Sequence, residues 1–218
     1  LAGARLVIGA AAPAQSPGRL YDPRPPDDSA SLRAVVVPPA ADGALMLDGK
    51  PRLAKLSSRT PGDYLVVPSG THALQVKPGG KAWPSAKVEA SERGAYTVVF
   101  SSASAKPYLF TDKTGTNRLK AMLAVYHVAP GIGAVDVTTA DGKTKVFTQL
   151  KPGAPAILEV NPIEVTLAVV AAGSRKPLAT VSLQMERGAA YSVFIFPAAG
   201  GKVTAVAHRN QRERYTGD

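Results

Sequence analysis

The sequence predicts an all-β chain of two tandem immunoglobulin-like β-sandwich domains related by internal duplication. Three observations carry this reading. A charged Gly turn feeding an aromatic, β-branched run occurs twice. One copy is Glu92-Arg93-Gly94-Ala95-Tyr96-Thr97-Val98-Val99-Phe100, the other Glu186-Arg187-Gly188-Ala189-Ala190-Tyr191-Ser192-Val193-Phe194-Ile195-Phe196. Such residues fit a pleated, half-buried surface. An apolar run also ends in Asp-Gly twice, at Asp48-Gly49 and Asp141-Gly142, and this dipeptide is the strongest short-range hairpin signal. Finally, the landmarks recur in one order at nearly one spacing: 93 residues separate Gly49 from Gly142, and 95 separate Tyr96 from Tyr191. A period this long marks a repeated domain rather than a solenoid, whose units run about 20–50 residues. Each half approaches the roughly 100 residues of a seven-stranded sandwich.

Taken in order, residues 1–14 have the parts of a signal peptide. Arg5 precedes an apolar run over 6–12, and Ala12-Pro13-Ala14 offers a small-residue cleavage pattern before Gln15. The run is too short to span a bilayer, which takes about 20 residues. The first sandwich is expected over 15–110. Its opening is Pro-rich and extended, and its first clear strand covers 32–37, ended by Pro38-Pro39. A hairpin turns at Asp48-Gly49. A second is expected between 64–67 and 71–76, across Pro68-Ser69-Gly70. Strands at 87–90 and 96–100 follow, with 108–110 as an edge. Tyr96 and Tyr191 read as strand anchors, each burying a ring and offering its hydroxyl to a backbone partner.

A polar linker spans 111–118, and the second sandwich covers 119–208. Its strands are expected at 123–128, 135–139, 145–149, 156–160, 165–170, 179–185, 191–196 and 203–207. The remaining 209–218 form a basic tail, expected to be mobile.

Composition narrows function. The 218 residues carry 26 basic and 16 acidic side chains, a net charge of +10. This favours an anionic partner: a polysaccharide, a lipid surface, an acidic protein or nucleic acid. Aromatic residues make up 6% and do not interleave with the lysines, which weighs against nucleic acid. There is no cysteine, hence no disulfide framework and no thiolate metal site.

His72, His127 and His208 lie on separate segments without paired ligand spacing, so no metal or cofactor is expected. His72 reads as a strand residue near a turn, and His208 as a solvated tail residue. Gly142-Lys143-Thr144 imitates the end of a phosphate-cradling loop, but Val137 stands where that motif needs Gly. No G-x-S-x-G marks a nucleophile, although a triad assembled from distant residues stays open, since geometry and not chain order defines it. Asp27-Asp28 lies in the loose opening segment, where burial tunes neither pKa. The basic residues best placed for a partner or polymer are Arg118 and Lys120 at the junction, which Lys113 would join in a positive patch, with Asn117 beside them and Arg24 from the opening segment.

Several stretches resemble the AlgF family, accessory factors of alginate O-acetylation. They are Leu20-Tyr21-Asp22-Pro23-Arg24-Pro25-Pro26, the junction from Thr111-Asp112 through Asn117-Arg118-Leu119-Lys120-Ala121-Met122-Leu123-Ala124-Val125-Tyr126, the Thr138-Thr139-Ala140-Asp141-Gly142 hairpin and the Val160-Asn161-Pro162 strand end. His127 stands where the family pattern leads one to expect Asn. The resemblance implies a periplasmic, non-catalytic adaptor. Its expected partners are a membrane-bound O-acyltransferase, periplasmic acetyltransferase subunits and an anionic polysaccharide. A stand-alone glycan-binding or adhesive module and a cryptic acetylesterase or transferase are the rival readings.

Overall fold

The computed structural model describes residues 24–215 apart from 59, 103 and 116; the expected signal peptide lies outside the described residues. Among the described residues, sixteen strands fill two halves. The first half holds β1 (Ser29–Val36), β2 (Gly43–Leu47), β3 (Lys50–Leu56), β4 (Leu65–Pro68), β5 (Gly70–Pro78), β6 (Ala86–Ala90), β7 (Ala95–Phe100) and β8 (Tyr108–Asp112). The second holds β9 (Ala121–His127), β10 (Val135–Thr139), β11 (Lys145–Leu150), β12 (Pro155–Val160), β13 (Glu164–Ala171), β14 (Pro177–Gln184), β15 (Ala190–Ala198) and β16 (Lys202–Arg209).

The strands form four sheets of four: β3-β2-β5-β6 and β4-β1-β7-β8, then β12-β9-β15-β16 and β11-β10-β13-β14. Each order in the second half is that of the first with every strand number advanced by eight. Each half also has one parallel pair, β1 with β7 and β9 with β15, set in the same register: Leu32 opposes Tyr96 as Leu123 opposes Tyr191. This is not the immunoglobulin order, in which the second and third strands lie in opposite sheets. Here β2 pairs with β3, and β10 with β11.

Alternation along the central strands explains the layering. On β1, Ala30, Leu32, Ala34 and Val36 point into a core shared with β2, β5 and β6. Val35, and Val37 just beyond the strand, face the other way, into a cluster with Val99, Phe110, Ala124, Tyr126, Val128, Phe194 and Phe196. On β9, Leu123 and Val125 enter the second half's own core, while Ala124 and Tyr126 enter that shared cluster. The two inner sheets therefore pack on each other, and the molecule is four sheets deep. Strands buried on both faces read as continuous apolar runs, which is the pattern of Val35-Val36-Val37 and of Phe194-Ile195-Phe196. An aromatic ladder crosses the seam, with Phe110 edge-on to Tyr126 at 5.1 Å and Tyr126 stacked on Phe194 at 4.7 Å between ring centroids.

Local chemistry sets the turns. Leu47 pairs with Lys50, and the intervening Asp48 and Gly49 both have positive φ, 50° and 77°. That is the two-residue turn whose twist matches the flanking strands. The expected hairpin across Pro68-Ser69-Gly70 does not form. β4 joins the inner sheet and β5 the outer one, so the chain turns a corner there instead. Gly70 holds φ at 131°, open to glycine. The corner lets Leu65 and Val67 enter the core from one sheet and Leu74 and Val76 from the other.

The C-terminal segment corrects a second expectation. His208 and Arg209 belong to β16, and residues beyond them cross to the first half. Tyr64 donates its backbone N–H to Gln211 O (2.9 Å), Glu213 N–H donates to Tyr64 O (2.8 Å), and the Glu213 carboxylate takes the Val66 N–H (2.6 Å) and pairs with Arg52. The segment extends the edge beside β4. Backbone groups that β4 would leave open are satisfied by it, so it is a clasp and not a free tail.

The repeated tyrosines behave alike. Tyr96 Oη accepts the Ser91 N–H at 3.1 Å and Tyr191 Oη the Glu186 N–H at 3.1 Å, each five residues upstream. Both tyrosines are buried, so each bond closes its own Gly turn onto its strand. Replacing Tyr96 or Tyr191 with Phe is expected to cost about 1 kcal/mol each, and similar amounts in the two halves. Urea denaturation of the two single variants measures this; a loss confined to one half counts against equivalent roles.

Candidate functional site

The seam between the inner sheets changes character along its length. At one end it is apolar (Val37, Val99, Phe196), and in the middle it is polar. Arg33, wholly buried on β1, projects into that middle. Its Nε donates to Thr97 Oγ1 (2.7 Å), Nη1 to Asn210 Oδ1 (2.8 Å), and Nη2 to Ser192 Oγ (2.7 Å) and Tyr126 Oη (3.2 Å). Its guanidinium carbon lies 4.5 Å from the Tyr64 ring centroid and 5.2 Å from that of Phe194, a favourable face for a cation.

Each hydroxyl in turn donates a hydrogen bond onward. Thr97 Oγ1 donates to Asp112 Oδ2 (2.5 Å), Tyr126 Oη to Asp112 Oδ1 (2.5 Å), Tyr64 Oη to Asp112 Oδ2 (2.8 Å), and Ser192 Oγ to Asn210 Oδ1 (2.8 Å). The buried cation thus reaches its carboxylate through hydroxyls. Thr97 and Ser192 each follow the repeat tyrosine, and Asp112 and Asn210 lie opposite the equivalent Ala95 and Ala190. The second half's counterpart of Arg33 is Ala124. One arginine is therefore held by matching hydroxyl–acceptor pairs from both halves. Burial, then the Asp112 carboxylate, pushes the Tyr126 phenol up to about 12. Burial raises Tyr64 as well. Both phenols stay neutral donors at ordinary pH.

Beyond this polar middle the seam opens into a groove. Its centre is a cavity of about 310 Å³ lined by Ser31, Tyr64, Ala95, Lys113, Thr114, Gly115, Ala190, Asn210, Gln211 and Arg212. Ala95 and Ala190 are equivalent residues, and their short side chains leave the space. Ser31, Thr114 and Arg212 are shared with a second cavity, about 410 Å³, that reaches Arg24, Asp27 and Arg93. Gly115 and Ala190 are shared with a small third one, about 70 Å³, that reaches Asn117, Arg118, Lys120 and Glu159. Along the three, six cationic residues (Arg24, Arg93, Lys113, Arg118, Lys120, Arg212) face two carboxylates (Asp27, Glu159). Arg93 pairs with Asp27 at 3.1 Å. Among the described residues, Arg24, Lys113, Arg118 and Arg212 make no ion pair.

The residues singled out from sequence lie at the two ends of this groove, Arg24 at one and Asn117, Arg118 and Lys120 at the other. Arg118 and Arg24 are exposed. Lys120 Nζ donates to Asn161 Oδ1 (2.5 Å). Asn117 Oδ1 accepts the Leu119 N–H (2.9 Å), so its side chain shapes the junction turn. Lys113, which the sequence joins to Arg118 and Lys120 as a positive patch at the junction, lines the central cavity. Ser31, Tyr64, Asn210 and Arg212 beside it, and the Arg33–Asp112 network beneath, are not among the residues that the sequence marks as a site. Arg33 carried one usable signal: a lone charge inside an apolar strand.

The three histidines take structural partners. Buried His127 bonds Gly133 O at 2.7 Å through Nε2 and accepts the Ala129 N–H at Nδ1; burial lowers its pKa. His208 is no tail residue: it pairs with Asp63 at 3.1 Å, and burial, then Arg33, lower its pKa. His72 bonds Asp48 Oδ2 at 2.7 Å and Pro68 O at 2.8 Å. No group of three or more metal-ligating side chains occurs among the described residues.

Comparison with known proteins follows this geometry. The family model described as alginate O-acetyl transferase AlgF matches residues 4–192. The chain belongs to the AlgF family. It is 29% identical over 202 residues to the alginate biosynthesis protein AlgF of Pseudomonas aeruginosa, covering 92% of this chain and 88% of the relative. It is 28% identical over 176 residues to the AlgF of Pseudomonas putida, covering 81% and 77%. A solved structure of the C-terminal domain of AlgF from P. aeruginosa aligns at 29% identity and a TM-score of 0.35, covering 42% of this chain and 99% of that one. The chain's own strands make it all-β, the relatives' names tie the family to alginate biosynthesis, and the family's description ties it to O-acetylation.

Two measurements check the site's physics. Arg33→Ala is expected to cost about 3–5 kcal/mol, because it strips a buried network of its shared donor. Trp83, the single tryptophan, packs on the first half's core. Its fluorescence and the far-UV signal should unfold together in the unsubstituted protein and separate in the variant. Coincident transitions in both would argue against the arginine as the coupling element. For His72, burial opposes the charged ring, but the bonds to Asp48 and Pro68 outweigh it and raise the pKa. Its contribution to stability is therefore full below about pH 6.5 and is lost as pH rises through the raised folded value. An NMR titration of Asp48→Asn should show His72 titrating at lower pH than in the unsubstituted protein.

Proposed function

We propose that this protein is a periplasmic, non-catalytic adaptor of an alginate-type O-acetylation complex. In this reading, two tandem domains arose by internal duplication and are exported by an N-terminal signal. Together they link periplasmic acetyltransferase subunits and a membrane-bound O-acyltransferase to the anionic polymer. The observation that carries it is the seam groove, where cations from the opening segment, the junction and the C-terminal clasp converge on one face. A surface built from three separate segments suits holding other molecules. Family membership supplies the pathway. The repeated topology and the matching tyrosine and hydroxyl bonds support duplication.

The reading assigns no bond chemistry to the chain's own side chains. The buried hydroxyls of Thr97 and Ser192 are committed to Arg33 and to acceptors, and the histidines are held elsewhere by carbonyls or carboxylates. Neither arrangement pairs a nucleophile with a base.

Deleting the gene and measuring polymer acetyl content tests the role; unchanged acetylation ends it. A finer test reverses charge at one end of the groove. Arg118→Glu with Lys120→Glu is expected to weaken partner or polymer binding by roughly tenfold or more and to leave the thermal unfolding midpoint nearly unchanged, since Arg118 is exposed and Lys120 bonds one neutral amide. Loss of the fold in that double variant would falsify the surface reading.

A further inference from the structure

We propose that a trough on the outer face of the second half's outer sheet is a phosphomonoester-binding site, taking a phosphate carried by a lipid headgroup or by a small solute. The trough shares no residue with the cavities of the seam groove, and the proposal does not depend on the adaptor reading.

Strand alternation makes the floor. Val135 and Val137 of β10 enter the second half's core with Leu167 and Val169 of β13, so Thr138 and Val170 face the opposite way. They line a cavity of about 630 Å³. The β10–β11 turn walls one side and the β13–β14 turn the other. The first brings Lys143, and Lys145 at the start of β11, to the cavity; the second brings Arg175.

Thr138 is the residue that points to a ligand. It is 8% exposed, and its hydroxyl has no hydrogen-bond partner among the described residues, yet it lines the cavity. A nearly buried hydroxyl that opens onto a space edged by cations is left to donate to an anion's oxygen. The cations are available as well. Arg175 is exposed and makes no ion pair among the described residues. Lys143 and Lys145, both with exposed side chains, reach carboxylates only at 3.7 Å and 3.6 Å, and surface contacts of that kind hold a lysine weakly. Those carboxylates are engaged from the protein side. Asp141 takes the Thr139 hydroxyl (2.5 Å) and the Lys143 N–H (3.1 Å), and buried Asp136 takes the Gln149 N–H (2.9 Å).

Donors arriving from several directions suit a phosphomonoester, which carries close to two negative charges and three strong acceptor oxygens. A carboxylate presents a single planar pair. Gly142-Lys143-Thr144 imitates the end of a nucleotide loop, but here Gly142 N–H donates to Thr139 O (2.8 Å) and closes a hairpin turn. The phosphate is therefore held by side chains and not by a cradle of backbone amides.

The test is a backbone-amide NMR titration of the full chain with inorganic phosphate, run beside acetate at matched ionic strength. Sedimentation with vesicles of pure phosphatidylcholine, and of phosphatidylcholine mixed with phosphatidate, separates the two sources. Phosphate is expected to move the amides of 138–145 and 172–176 saturably, with an affinity roughly tenfold or more above that of acetate. Thr138→Val, which keeps the shape and removes the hydroxyl, and Arg175→Gln should each weaken that affinity several-fold; if Thr138→Val unfolds, the exposed Arg175 carries the test. Vesicle binding that needs phosphatidate and is lost in Arg175→Gln assigns the phosphate to a lipid headgroup. A phosphate response without vesicle binding assigns it to a soluble phosphomonoester. No localised response to phosphate, an equal response to acetate, or an affinity indifferent to both variants overturns the proposal, and any vesicle binding is then general surface attraction.

Discussion

A single guanidinium, withdrawn from water, sits where the two halves meet. Arg33 has no carboxylate within direct reach among its hydrogen-bond partners. Its donors go to the hydroxyls of Thr97, Ser192 and Tyr126 and to the amide oxygen of Asn210, and the three hydroxyls in turn donate hydrogen bonds to Asp112 or Asn210. A buried charge costs several kcal/mol unless its surroundings replace water. Here the replacement comes from both halves at once, so neither half satisfies the arginine alone. The arrangement makes the two repeats one body, and it places the clasp residue Asn210 under the same constraint.

The rest of the architecture is arranged around that point. Inner sheets must be apolar on both faces because each is sandwiched, and the seam's apolar end does this with Val, Phe and one tyrosine ring. The polar middle sits deeper than the groove and forms part of its floor, through Tyr64 and Asn210. The groove exists because the position before each repeat tyrosine is alanine. Ala95 and Ala190 both line the central cavity, and their two small side chains leave it open.

Charge follows the same geometry. The basic residues look scattered along the chain, with Arg24, Lys113, Arg118 and Arg212 nearly two hundred residues apart at the extremes. They gather because the opening segment, the junction and the C-terminal clasp all run past the same ends of β1, β7, β9 and β15. A field focused in a cleft draws an anionic partner more strongly than the same charges spread over a sphere.

The chain by itself determined its secondary structure and its repetition. Strands of β-branched and aromatic residues, Asp-Gly turns and the twofold Gly-Ala-Tyr pattern are local signals, set by backbone sterics and side-chain alternation within a few residues. The motifs at 20–26 and 111–126 likewise pointed to the family. Partnership between distant strands was decided only in three dimensions. The corner at Gly70 looked like a hairpin because local sequence does not reveal which sheet a strand will join. The basic tail looked free because its pairing with Tyr64 bridges nearly 150 residues. The strand order, the buried setting of Arg33 and the gathering of six cations into one groove all depend on how the inner sheets stack. That stacking is decided by complementary burial across the seam, a property of the folded whole that no short window of residues contains.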